Sequence, residues 1–370
     1  MTAREHLLRV LDGDRSGEIP VAPFIHLNFV RSFLGRREIE PIDETIAVLR
    51  HFGFDIIHRN CTPAYDDLVL PGDGWEFEKT VEPDDRGETA TTVVHTPKGD
   101  LRQVWRLNWV SEYDAESSPV EYLIKTERDL DLMMEYQPPV GDVDTSPIRD
   151  AREAVGDDGV VAPWMQGAFN HAAFFFRSPE ELMLDALSDT SFYRRLMAYF
   201  QRRNREIARQ CTHAGADVMS YGANIASGKM VSESFFREFI MPYERELIAC
   251  IRSNGGRVLF HNCGYARRLL PVYKELGMTA YESLTPPPYG DTPLAEAVDI
   301  LGGVCALSGN IDQIDFLRHA EPSDIRQRVR ETIDAVKERC AFILATTDYF
   351  HEDTPHANIQ AFADAGREFG

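Results

Sequence analysis

No run of 18 or more apolar residues occurs anywhere in the chain, so nothing in it is expected to form a transmembrane helix. Cysteine is sparse and scattered. The six residues, at 61, 211, 250, 263, 305 and 340, lack the spacing of a disulfide framework, which favours a reducing, cytoplasmic setting. Positive charge is also short. Lys and Arg number 39 against 60 Asp and Glu, and the net charge of −21 argues for solubility and against nucleic acid or an anionic membrane as partner. Thr2-Ala-Arg-Glu5 is expected to open an amphipathic helix with a capping box and does not read as a signal peptide.

What is present is a core-forming chain of 370 residues, 43% hydrophobic, with strand and helix patterns that alternate. Short apolar runs near 21, 54, 160, 217, 258, 280, 304 and 343 read as eight buried parallel strands. Helical sequence follows each of them, apart from an excursion over 60–158. Eight βα units predict a TIM (β/α)8 barrel in a single domain spanning 1–370. The first strand is expected over 20–26, ending near His26 and Asn28, and the third over 159–167. A helix starting at Ser232 is expected to kink near Pro242. The excursion carries alternating segments at Trp75-Glu-Phe-Glu78, Thr91–His95 and Leu101–Arg106, the last two joined by the turn cluster at 96–100. These predict an antiparallel β insertion after the second strand, over 65–115, sitting over one barrel mouth as either a plain structural decoration or a lid or substrate wall.

In a barrel of this kind the chemistry sits at the C-terminal strand ends. Here those ends offer His26, Arg59, Asn60, Gln166, Tyr221, His261, Cys263, Glu282, Asn310, Asp348 and His351. The sharpest signal is Val258-Leu-Phe-His-Asn-Cys-Gly264. Expected as a strand to 263, it puts His261 and Cys263 on one side, and Gly264 lets the chain turn away. An imidazole beside a thiolate suits zinc, and a catalytic zinc takes three protein ligands with one position open. Asp348 is the expected third ligand, with Glu282 and His351 as the alternatives. The bland reading of the pair is a buried cysteine beside a hydrogen-bonded histidine.

Several segments carry a resemblance. Gly215-Ala-Asp-Val218 leads to Ser232-Glu-Ser-Phe-Phe-Arg-Glu-Phe-Ile-Met-Pro242. His261-Asn-Cys-Gly264, Gly277 with Glu282, Leu307-Ser-Gly-Asn-Ile311 and Asp353-Thr-Pro355 with Asn358 follow. Together they resemble the uroporphyrinogen decarboxylase-like superfamily, in particular its zinc-dependent, corrinoid-linked methyltransferases of the methylcobamide:coenzyme M type. The likeness is good from about 155 onward, looser over 1–60 and poor across 60–150. Two departures stand out. The decarboxylases carry an Arg-rich motif where this chain has Phe24-Ile-His-Leu-Asn-Phe-Val-Arg31, with a single arginine, which disfavours a polycarboxylate tetrapyrrole as substrate. The methyltransferases place a cysteine near the chain end where this chain has Asp348.

The resemblance implies a TIM barrel, zinc on His261, Cys263 and a third group, and methyl transfer between a small substrate and methylcobalamin carried by a partner protein. It also implies Glu282 and Tyr221 near the chemistry, and His26, Arg59, Asn60, Gln166 and Asn310 around the substrate. Homodimers are common for such chains. The runner-up is a decarboxylase of a small carboxylic acid, with Arg59 holding the carboxylate; a non-enzymatic binding barrel is third, and the polar mouth argues against it.

Overall fold

The computed structural model describes residues 1–66 and 68–370. Six parallel strands form one sheet in the order Phe342–Thr346, Ala306–Ile311, Ala280–Glu282, Arg257–His261, Val218–Gly222 and Trp164–Gln166. Ile56–His58 and Gly159–Val161 pair in parallel alongside. Val21 bridges Leu344 in parallel at one edge. Further backbone hydrogen bonds cross the remaining seams, from Asp55 N–H to Val21 O and from Asp217 N–H to Val161 O, each at 3.0 Å. With helices flanking the sheet, this is an α/β, barrel-like architecture.

All eight anticipated strand positions are used, but three differ in form. The first is reduced to the Val21 bridge, because the helix Leu27–Leu34 begins immediately after its N-cap, His26. Asn28 is therefore buried in a helical first turn. The third strand breaks at Ala162-Pro163, where proline offers no N–H to the ladder. Its halves serve different neighbours: 159–161 pairs with 56–58, and Trp164–Gln166 pairs with 220–222. The 258–263 strand stops at His261, so Cys263 lies in the loop just beyond it. A helix at Ser146–Val155, with proline in its first turn, was not anticipated. Near Pro242 the helix takes a π-helical turn over Phe236–Ile240 before continuing as Met241–Ser253, so the expected kink has a π-bulge beside the proline.

Side-chain parity organises the interior. Ala22, Ile57, Val160, Ala162, Val218, Leu259, Ala280, Ala306, Ala341 and Ile343 form one apolar cluster, packed against Leu7, Val10 and Leu11 of the N-terminal helix Ala3–Leu11. Half of these strand residues are alanines, which lets the strands' inner faces approach closely. Two residues further along, on the same face of each strand, come Arg59, Trp164, Ser220, His261, Glu282 and Ser308. The polar layer thus sits directly on an apolar floor.

The insertion is a four-stranded antiparallel sheet, Glu76–Asp84, Gly87–Thr96, Gly99–Trp109 and Ala115–Glu121, one strand more than expected and extending past 115. It is anchored over the strand ends at two places. Gln103 donates to the Phe175 carbonyl and the Trp105 ring lies 6.0 Å from Phe174. At the other end Asn28 donates to Asp114 at 3.2 Å, and Ser111 donates to Glu352 at 2.7 Å.

Candidate metal centre

His261, Cys263 and Asp348 each offer one ligand atom, and these atoms all lie within 4.8 Å of one another. His261 Nε2 is 3.8 Å from Asp348 Oδ2. Three elements deliver them: the end of the Arg257–His261 strand, the loop after it, and the residues following Phe342–Thr346. Asp348 is not a cap of the closing helix, which starts at His356 with Pro355 as N-cap.

The loop holding Cys263 is braced by the segment at 283–291. Gly264, at φ 80°, turns in the left-handed region, and its N–H donates to Thr285 Oγ1 at 3.1 Å. Asp291 Oδ1 accepts from the N–H groups of Ala266 and Arg267 at 2.9 and 3.0 Å. Tyr281 donates to the Asn262 carbonyl at 3.0 Å. Ser283 and Leu284 sit at φ 91° and 47°, a conformation non-glycine residues adopt at a cost of about 1–3 kcal/mol each. That bend follows Glu282 and brings Ser283 Oγ to 3.4 Å from His261 Nδ1.

Glu282 is not placed as a further ligand. Its Oε1 lies 3.1 Å from His261 Nδ1, while Arg59 donates to both carboxylate oxygens at 2.6 Å. Arg59 is 3% exposed and Glu282 5%, so this ion pair is desolvated. Burial opposes charge on Glu282, yet Arg59 and His261 outweigh it and hold the carboxyl down at about 2. Burial likewise works against charge on His261, but Cys263, Glu282 and Asp348 raise its pKa well above the usual imidazole value. Nδ1 faces Glu282 and Nε2 faces Asp348, so release of the Nε2 proton to make room for a metal would leave a lone pair on the side of Asp348, the orientation seen when a carboxylate positions a ligating histidine. Aromatic rings enclose this polar knot. The Arg59 guanidinium lies 4.5 Å from the Phe24 ring and 5.4 Å from Trp164, and the Trp164 ring stands edge-on to His261 at 5.6 Å.

The remaining expected residues divide. His26 lies near the centre, 5.1 Å from the Tyr349 ring, and burial lowers its pKa. Asn310 ends on the same strand-end side, half-buried, beside the Gly309 that packs on the Ser283 backbone. Gln166 accepts from Asn170 and faces a cavity next to the centre. Asn60 turns away and donates to Thr45 at 3.1 Å. Arg59 has both terminal nitrogens committed to Glu282 and is not offered to a substrate carboxylate. His351 is exposed, bonded to Asp353 at 2.7 Å and outside the cluster. Tyr221 is the clearest correction. It alternates to the outer face of its strand, stacks on Phe260 at 5.6 Å and faces Glu244, fully buried behind the wall. Trp164, Phe24 and Ser283 were missed; Trp164 was legible as the inward neighbour of Ala162, two residues on.

Among the described residues no helix is long and apolar enough to cross a membrane. Residues 116–369 match the family model described as Uroporphyrinogen decarboxylase (URO-D). The chain is similar to the Methylated-thiol--coenzyme M methyltransferase of Methanosarcina mazei, 26% identical over 40% of this chain and 39% of that protein, so the match spans well under half of the relative. It is also similar to the Methylcobamide:CoM methyltransferase MtbA of the same organism, 20% identical over 73% of this chain and 74% of that one. A solved methyltransferase from Methanosarcina mazei superposes with a TM-score of 0.73 at 17% identity, covering 100% of this chain and 99% of that one, which shows a shared fold. On the strength of the family match, which takes in well over half of its length and the whole cluster from His261 to Asp348, the chain belongs to the uroporphyrinogen decarboxylase family.

Proposed function

We propose that the chain is a methyltransferase that holds zinc on His261, Cys263 and Asp348 and moves a methyl group between a small substrate and a corrinoid carried by a partner protein. The observation that carries this reading is the convergence of one nitrogen, one sulfur and one carboxylate donor within 4.8 Å. The donor set fits zinc: each type is an ordinary zinc ligand, and three of them leave the fourth position for substrate. Bound there, zinc would supply Lewis acidity that lowers the pKa of a coordinated thiol or hydroxyl. The chain's own residues do the positioning. Glu282 takes the Nδ1 proton of His261 in a hydrogen bond and fixes the ring; Arg59 fixes Glu282; Trp164 and Phe24 keep water from that pair. A carboxylate donates less electron density than a thiolate of the same formal charge, so Asp348 would leave the metal more Lewis-acidic than a second cysteine would.

The names of the two relatives support methyl transfer to or from a thiol or a cobamide. The ring of hydrogen bonds through Val21, Asp55, Val161 and Asp217 supports reading the architecture as a closed (β/α)8 barrel. A carboxylate-binding decarboxylase is less well supported, because Arg59 is already paired. The direct test incubates the zinc-loaded protein with methylcobalamin and coenzyme M under anaerobic conditions and follows the cobalamin spectrum. Demethylation that is lost in Cys263→Ala and kept in His351→Ala is expected. No consumption of methylcobalamin with thiol, alcohol or amine acceptors would overturn the reading. A homodimer, the assembly common for the resemblance, is checked by light scattering.

A further inference from the structure

Beside the metal centre, between the barrel and the insertion sheet, lies a cavity of about 520 Å³. Its size is that of a pocket for a small molecule, which typically runs to several hundred cubic ångströms. Trp164 is the shared wall: one side packs against His261, and the residue also lines the cavity. The insertion sheet supplies the roof. Register pairs Lys79 with Thr92 and Thr92 with Gln103, and pairs Ala90 with Trp105, so these side chains share one face. All of them line the cavity. The floor includes Phe175 and Phe176, at the end of the π-helical turn Ala172–Phe176.

The polar groups here are largely spent within the protein. Gln103 donates to the Phe175 carbonyl, Gln166 accepts from Asn170, and Asn204 donates to the Gln166 carbonyl at 3.1 Å and also bonds His171. What is left facing inward includes the rings of Trp105, Trp164, Phe175 and Phe176, with aliphatic groups such as Met165 and Ile207 beside them. Offset or edge-on ring pairs gain stabilisation beyond the area they bury, a gain that a saturated ring of the same size lacks. The lining's two charged groups, the Asp66 carboxylate and the exposed Lys79, are opposite in sign, so net charge does not select the guest.

We propose that this cavity takes the ring of a small aromatic substrate, and that the insertion sheet is the element that selects it. The role as substrate pocket rests on the methyl-transfer reading above; the binding itself does not. Calorimetric titration of the full chain with phenol and benzoate tests it, against cyclohexanol and cyclohexanecarboxylate. Saturable binding of one phenol or benzoate per chain is expected, with the saturated rings at least tenfold weaker. Ala90→Trp, at a half-exposed position on the roof, should abolish aromatic binding while leaving metal content unchanged. Thr92→Val, which keeps the volume, should retain it. Cys263→Ala should lose metal and keep aromatic binding, which separates failure of this proposal from failure of the metal reading. Equal affinity for the saturated rings, binding that survives Ala90→Trp, or binding that disappears in Cys263→Ala would each overturn it.

Discussion

Two glutamates on either side of the same parallel sheet show how partner, and not burial, decides the state of a buried carboxyl. Glu282 and Glu244 are both fully buried. Glu282 faces inward, where Arg59 and His261 hold it at about 2 against the burial. Glu244 faces Tyr221 behind the wall, where burial raises it to about 7 and the neutral hydroxyl offsets only part of that rise. One is a permanent anion fitted to position a ligand. The other is an acid for which folding and ionisation compete. The same strand parity that puts His261 and Glu282 inside puts Tyr221 outside.

The comparison breaks most severely if the inner cation is removed. Arg59→Met leaves Glu282 buried without its bidentate cation, with only His261 beside it, and should cost about 3–5 kcal/mol, as loss of one partner of a buried pair does. Urea denaturation measures it, and bound metal should fall with it because His261 loses its fixed orientation.

Next in size is the pH dependence of Glu244. Its folded pKa is raised, so the unfolded chain loses its proton first as pH rises. Stability therefore falls from the usual carboxyl range near 4.5 through about 7. The cost reaches about 3 kcal/mol above pH 7. Glu244→Gln should remove that slope: relative to the parent chain it should be more stable at pH 8 than at pH 5, by denaturation at the two pH values. Glu282, with its pKa lowered, contributes in the opposite sense, stabilising above the usual carboxyl range and losing that contribution as pH falls toward about 2.

Smaller still is Tyr221→Phe. It removes a hydroxyl behind the wall, so stability should change by no more than about 1 kcal/mol, in the range of a single hydrogen bond. Metal content and methyl transfer should stay at parent levels. A large loss of turnover at unchanged stability would return Tyr221 to the chemistry. Least of all, His351→Ala should leave metal binding untouched, since His351 is exposed and paired to Asp353.

These residues also show what could be read from the chain alone. Eight strand positions were legible because buried parallel strands are near-continuous apolar runs. His261, Cys263 and Asp348 were legible as donors at strand ends. The Arg59–Glu282 pair was not: its members are 223 residues apart, and only the register across several strands brings them together. Tyr221 was misplaced although its own strand held the clue, since Val218, Ser220 and Gly222 alternate with the larger Met219 and Tyr221. The fourth insertion strand escaped notice because Ser117-Ser-Pro119 has little strand propensity, and its ladder to Leu107 supplies what the local sequence lacks. The first strand was over-read because apolar residues at 21–25 serve a strand bridge and then a loop into the Leu27–Leu34 helix.

The central claim is tested most directly by the metal content of the purified protein, measured by mass spectrometry beside Cys263→Ala and Asp348→Ala. Near-stoichiometric zinc in the parent chain, lost in both variants while each remains folded by circular dichroism, is the predicted result. A parent chain that takes up no zinc when supplied with it, or an Asp348→Ala variant that holds zinc as tightly as the parent, would contradict the His261–Cys263–Asp348 centre.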